Sequence, residues 1–299
     1  MTTVADEPKD LMEVEPIAPP IRYRGFKRFL KNRASLVSLI FLIIISILAF
    51  IPQILARHPQ NDIDLSRRRL TPQGSHIFGT DQLGRDVLTE ILHATQVTLR
   101  IAIGVGILST IIGVIIGAFA GYYSKFIDSL LMRATDMFLV VPQLIILALA
   151  LRKFGSGDMA MVIIISSISW MYTARLVRSQ VLSLRTREFI DAAKINGRSS
   201  FYIVIRHLIP NSWSVIAVSS ALTVAGAILL ESTISFLGYG IQPPKTSLGR
   251  ILFDAKGYAT GDYFYLFFIP GLVTFLIVLS INFISDGLRD ALDPRSEQS

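Results

Sequence analysis

The chain has no cysteine, which excludes disulfides, thiolate metal sites and cysteine nucleophiles. Charge is scarce as well. Only 17% of the 299 residues are Asp, Glu, Lys or Arg, against 52% hydrophobic residues, which is too apolar for an ordinary soluble domain. No G-x-x-x-x-G-K-[ST] string occurs, so the chain lacks the usual loop for cradling nucleotide phosphates. The four histidines, His58, His76, His93 and His207, are scattered without metal-ligand spacing, and no metal is expected. No Ser/His/Asp arrangement can be argued, so no catalytic residue is expected. Carboxylates are missing from the middle of the apolar runs, where a proton- or sodium-coupled carrier usually keeps one. A cleavable leader is not expected, because the first apolar run has no small-residue cleavage site after it and is long enough to stay as an anchor.

What is present is a series of apolar blocks of about 20 residues, the length that crosses a bilayer core of roughly 30 Å. They predict spans over Leu36 to Leu55, Leu99 to Tyr122, Thr135 to Leu151, Met159 to about Thr173, Trp213 to Leu230 and Tyr263 to Ile284. The fold class expected is therefore an all-α integral membrane protein with six transmembrane helices. The net charge of +7 fits positive-inside topology better than nucleic-acid binding. Residues 1–34 read as a cytosolic tail, acidic and proline-bearing first, then carrying six Lys/Arg between Arg22 and Arg33. Residues 35–55 are the first span. Residues 56–98 read as an external loop whose second half is an interfacial helix, capped by Thr80 or Asp81. Residues 99–285 hold five spans, and 286–299 form a cytosolic C-terminal tail. In the second span Gly104, Gly106, Gly113, Gly117 and Gly121 recur, which predicts a face packed closely on another helix. Pro142 marks a kink in the third span.

Residues 184–210 form a loop between two apolar runs, yet they are patterned. Leu184 to Ile195 reads as a short helix with one apolar side, Gly197 as its stop, and Ser199 or Ser200 as the cap of a second helix. Pro210 sets where the next span begins. The expected shape is a helix–Gly–helix elbow on the membrane surface. Ala192 and Ala193 leave a flat patch that another protein's groove can approach, with Glu188, Asp191 and Lys194 around it to fix register. An amphipathic loop lying on lipid is the other reading of the same spacing. The stretch Arg175 to Arg206 holds seven Lys/Arg against two acids, which places it inside. Alternation from a cytosolic Arg22–Arg33 segment agrees, and puts both termini inside. Glu231 falls about 20 residues past Pro210, near the outer mouth. It reads either as a partner-contact or gate residue, or as a carboxylate that snorkels.

Asp191-Ala192-Ala193, then Gly197, then His207-Leu208-Ile209-Pro210 resembles the coupling loop of ABC-importer permeases, whose general pattern is E-A-A-x3-G-x9-I-x-L-P. Three more strings are similar to the dipeptide/oligopeptide/nickel subfamily: G-T-D-Q-L-G-R-D-V-L from Gly79, E-x-x-x-S-F-L-G-x-G-x-x-P-P from Glu231, and D-G-L-R-D-x-L-D-P-R from Asp286. Asp191 in place of Glu, and Ser247-Leu248-Gly249 in place of Ser-Trp-Gly, depart from the pattern. The resemblance implies a type I ABC importer permease fold in a bacterial or archaeal plasma membrane, surrounded by lipid. It implies an ATP-driven importer of di- or oligopeptides, with nickel, glutathione or another small solute as alternatives. A stand-alone carrier or channel is the alternative from another class. The implied partners are a second homologous permease subunit, two cytosolic ABC ATPases holding ATP and Mg, and an extracytoplasmic solute-binding protein, with no nucleic acid. The chain itself would bind no cofactor. The resemblance assigns ATPase coupling to Glu188, Asp191, Ala192, Ala193, Gly197 and Pro210. Glu231, Ser235 and Gly238 are the candidates for an outer gate or binding-protein contact.

Overall fold

The computed structural model describes residues 28–123 and 125–292. The acidic tail, three of the six basic residues before the first span, and the last residues of the C-terminal motif lie outside them. Among the described residues the chain is helical, with two isolated β-bridges and no named strand. The helices are α1 (Arg33–Phe50), α2 (Val87–Tyr122), α3 (Lys125–Val140), α4 (Gln143–Phe154), α5 (Asp158–Leu184), α6 (Glu188–Ile195), α7 (Ser200–Ile203), α8 (Trp213–Phe236), α9 (Leu248–Ala255) and α10 (Tyr265–Leu292). Five of them, α1, α2, α5, α8 and α10, are long and apolar enough to cross a membrane.

Several expected boundaries move. The helix expected to lie at the interface is no separate element. Asp86 caps α2 through Thr89 N–H at 2.9 Å, and the helix then runs unbroken into the span. No Gly or Pro interrupts Val87 to Ile103, so nothing stops it. At 1.5 Å per residue its 36 residues reach about 54 Å, well beyond a bilayer core of roughly 30 Å. The helix of the fourth span runs on to Leu184 and that of the sixth to Leu292, so residues 286–292 are helical. The third span is not one kinked helix. It is the pair α3 and α4, bent by 85° where Val141 and Pro142 break the hydrogen-bond ladder.

Packing shows that this bent pair carries the chain back across the bundle. Four of the five α2 glycines face α5 in register: Gly104 meets Val162, Gly113 meets Trp170 O and Thr173, Gly117 meets Ala174 O, and Gly121 meets Arg178 O. The offset stays nearly constant, so α2 and α5 are parallel. The chain between Tyr122 and Asp158 must therefore return from one end to the other. Charge pairs fix that return: Arg175 to Asp136 and Arg178 to Asp128 along it, Arg100 and Lys245 to Asp158 at its far end.

The ends of the described chain meet. Ser35 Oγ donates to Phe283 O at 2.7 Å, and Gly287 packs on Ser35 and Phe29. Ser285 on α10 also reaches Val218 O near the start of α8. The start of α1, the end of α10 and the residue 184–212 elbow thus share one end of the bundle. Residues 51–86, the end of α8 and α9 occupy the other. The main core joins α2, α4, α5, α8, α9 and α10, and a second, smaller cluster sits under the elbow.

Candidate functional site

The elbow begins where α5 ends. Arg185 Nη1 donates to Gly121 O at 3.1 Å and ties that corner to the end of α2. Three residues later α6 starts with Glu188 and Asp191 in its first turn, where negative charge suits the helix dipole. Lys194 closes on Asp191 at 2.9 Å. The helix stops as its glycine requires. Gly197 takes φ +70°, its N–H reaches Lys194 O at 2.9 Å, and Arg198 N–H reaches Ala193 O at 3.1 Å. That pair of bonds is a Schellman stop, which needs a left-handed residue. Ser199 then caps α7 through Tyr202 N–H. The chain continues through Val204–Leu208 as a π-helical turn and through Ile209–Asn211 to α8. Pro210 supplies no N–H and its ring crowds the carbonyl four residues back, which the wider turn before it relieves.

The two faces of the elbow differ. Ile190, Ala193, Ile203, Val204 and Leu208 point inward and pack on Val114 and Ala118 of α2 and Val177 and Val181 of α5. Of the Ala pair only Ala192 is on the surface; Ala193 is 8% exposed. The flat patch expected from two adjacent alanines is therefore one alanine wide, because neighbours on a helix point about 100° apart. The outward face carries apolar groups that the spacing did not single out. Ile195 is 86% exposed and Phe201 60%, with Phe189, Tyr202 and Ile205 also exposed. Glu188, Asp191, Gly197 and Pro210 are exposed with them. Next to this face lies a cleft of about 680 Å³, lined by Tyr122, Tyr123, Arg185, Thr186, Asp191, Lys194 and Ser200.

The candidates at the other end behave differently. Glu231 is fully buried (0% exposed), so it neither snorkels nor offers a surface to a partner. Hydroxyls surround its carboxylate: Ser235 Oγ donates at 2.7 Å, Thr98 Oγ1 at 3.2 Å and Ser232 Oγ at 3.4 Å. Thr98 in turn accepts Leu248 N–H at 3.2 Å. Glu231 therefore joins α2, α8 and the start of α9 from inside. Gly238 ends α8 with φ +88°. Replacing Glu231 with Ala leaves these hydroxyls without an acceptor, at a cost of about 1–3 kcal/mol. Glu231→Gln keeps an acceptor, so in detergent the Ala variant will melt below the Gln variant; equal melting temperatures would contradict the cage.

The elbow thus sits at one end of the helix bundle with both apolar and charged groups exposed on it. Two family profiles match the chain. Residues 113–298 match the binding-protein-dependent transport system inner membrane component, and residues 23–72 match the N-terminal TM domain of oligopeptide transport permease C. This chain belongs to that transport family. The oligopeptide transport system permease protein OppC of Mycobacterium tuberculosis (strain H37Rv) is 39% identical over 272 residues, 90% of this chain and 93% of the relative. OppC of Mycobacterium bovis matches to the same extent. The chain is thus a multi-pass ABC permease subunit, with transport rather than catalysis as its business. The elbow falls inside the first matched region, and α1 inside the second.

Proposed function

We propose that this chain is one half of the membrane channel of an ATP-driven oligopeptide importer, and that its elbow is where ATPase motion enters. The observation that carries this is the elbow's two-sidedness: an inner face built into α2 and α5, and exposed Ile195, Phe201 and Ile205 on the side left uncovered among the described residues. A patch of large apolar groups at the end of a bundle fits a protein partner. Seven basic residues between Arg175 and Arg206 favour the cytosolic side for that end, hence cytosolic termini and a plasma-membrane location in a bacterium or archaeon.

In this reading the partners are a related second permease, two cytosolic ATPases that hold ATP and Mg, and a solute-binding protein at the opposite end. The groove between α4, α5 and α8, about 530 Å³, offers Ser169, Tyr172 and Thr223 among apolar walls. It supports a pathway shared with the second permease, because one side of it stays open. Solute delivered from outside enters while the elbow end is closed, and ATP-driven approach of the ATPases moves α6 and α7 as one piece with α2 and α5. Proteoliposomes containing the four membrane and ATPase subunits, supplied with binding protein and labelled peptide, will accumulate peptide only when ATP is present on the elbow side. Uptake by the chain alone without ATP would refute the reading.

A further inference from the structure

Residues 51–86 form an irregular segment with only two 3-10 turns and two isolated bridges, and with no cysteine to cross-link it. At its heart three donors from separate parts of the chain converge. His58 lies a short way past α1, His76 sits in the turn closed by the Gln73 bridge, and Asp86 caps α2. One ligand atom of each lies within 4.8 Å of the other two. His76 and Asp86 are only 7% and 6% exposed. The two imidazoles are stacked, with centroids 4.4 Å apart and planes 17° from parallel, so a cation shared by both requires His58 to turn out of the stack.

From this convergence we infer that His58, His76 and Asp86 form a binding site for a first-row divalent cation, with zinc as the best fit, that staples residues 51–86 to the head of α2. Three features carry it. First, His58 Nε2 is buried and has no hydrogen-bond partner among the described residues, a costly arrangement that a cation would relieve. Second, Asp86 divides its work: Oδ2 accepts Thr89 N–H and Thr89 Oγ, while Oδ1 faces His76 Nδ1 at 2.9 Å. That leaves Oδ1 on the side of the two imidazoles, and the helix cap holds it there. Third, two imidazoles with one carboxylate is the donor set of three-ligand zinc and other borderline cations, with a fourth position for water. Hard cations prefer all-oxygen ligands and do not fit. The histidine spacing gave no warning because His58 and His76 are joined by folding of the loop and not by helix periodicity.

The test uses the full chain in nanodiscs, free of any histidine tag, stripped with EDTA and titrated with zinc against a chromophoric chelator. One equivalent of zinc should bind and raise the melting temperature. His58→Phe keeps a ring for the stack but removes the nitrogen, and Asp86→Asn keeps the helix cap. Each should weaken zinc binding by more than about tenfold, while His93→Phe leaves it unchanged. Melting of the metal-free variants near the metal-free parent shows that they fold. Failure of the parent to bind one equivalent, or parental affinity in either site variant, overturns the site and means that the His76–Asp86 hydrogen bond alone organises the loop.

Discussion

Proteoliposomes carrying Ala192→Arg or Ile195→Asp, assembled with their partners, will hydrolyse ATP but import peptide at least about tenfold more slowly than the parent. Both side chains face outward, Ile195 almost completely, so neither change disturbs the cluster that seats the elbow. Each puts an unpaired charge into the proposed docked surface, at a cost of order 2–5 kcal/mol. Since 1.4 kcal/mol is a factor of about ten, the lower limit already exceeds tenfold in docking. Ala193→Arg would be a poorer probe. Its side chain enters the contacts with α2 and α5, so lost transport could mean only a displaced elbow. Gly197→Pro is informative in a different way, because proline cannot take φ +70° and the Schellman stop would go. Undiminished uptake by Ile195→Asp would show that the ATPases do not press on this face.

The elbow was legible because its signals are local. A glycine stop, a serine cap and a run of basic residues act over a few positions, and Gly197 and Ser199 hold those roles in the structure. The glycine-rich face of α2 was equally readable, since five small residues recurring in one span favour close helix approach over lipid exposure, and four of them meet α5. What was hidden depends on direction or depth. Hydropathy measures how apolar a segment is and not where its axis points, so the 85° turn at Pro142 looked like a kink. Asp86, not Thr80 or Asp81, starts α2, because Asp81 is already spent on Leu83 N–H and on Arg85. Glu231 looked like an edge residue from its position near the end of its span, but α9 folds back over it, and only tertiary structure reveals that lid. The same holds for His58 and His76, which meet through a turn of irregular backbone.

Gly117→Leu will keep the chain from accumulating in folded form, and this follows from the register of α2 on α5. A methyl group at Gly117 runs directly into the Ala174 carbonyl, and one at Gly113 or Gly121 comes to 2.8 Å of Trp170 O or 2.9 Å of Arg178 O. The obstacle is backbone and cannot swing aside, unlike the tip of a flexible side chain. Overpacking a core usually costs about 1–3 kcal/mol, and here two helices would have to separate along their length. Gly117→Ala should therefore already lower the melting temperature in detergent, and Leu should abolish the monodisperse species. Gly226 on α8 is the control, because an added methyl there meets nothing within 4 Å. Gly226→Ala should match or exceed the parent, helped by about 1 kcal/mol of helix propensity. The consequence reaches function, since α2 and α5 are the supports on which the elbow rests. If Gly117→Leu folds with an unchanged melting temperature, α2 and α5 cannot be packed in this register, and the parallel arrangement that brings the bent α3–α4 pair back across the bundle loses its basis.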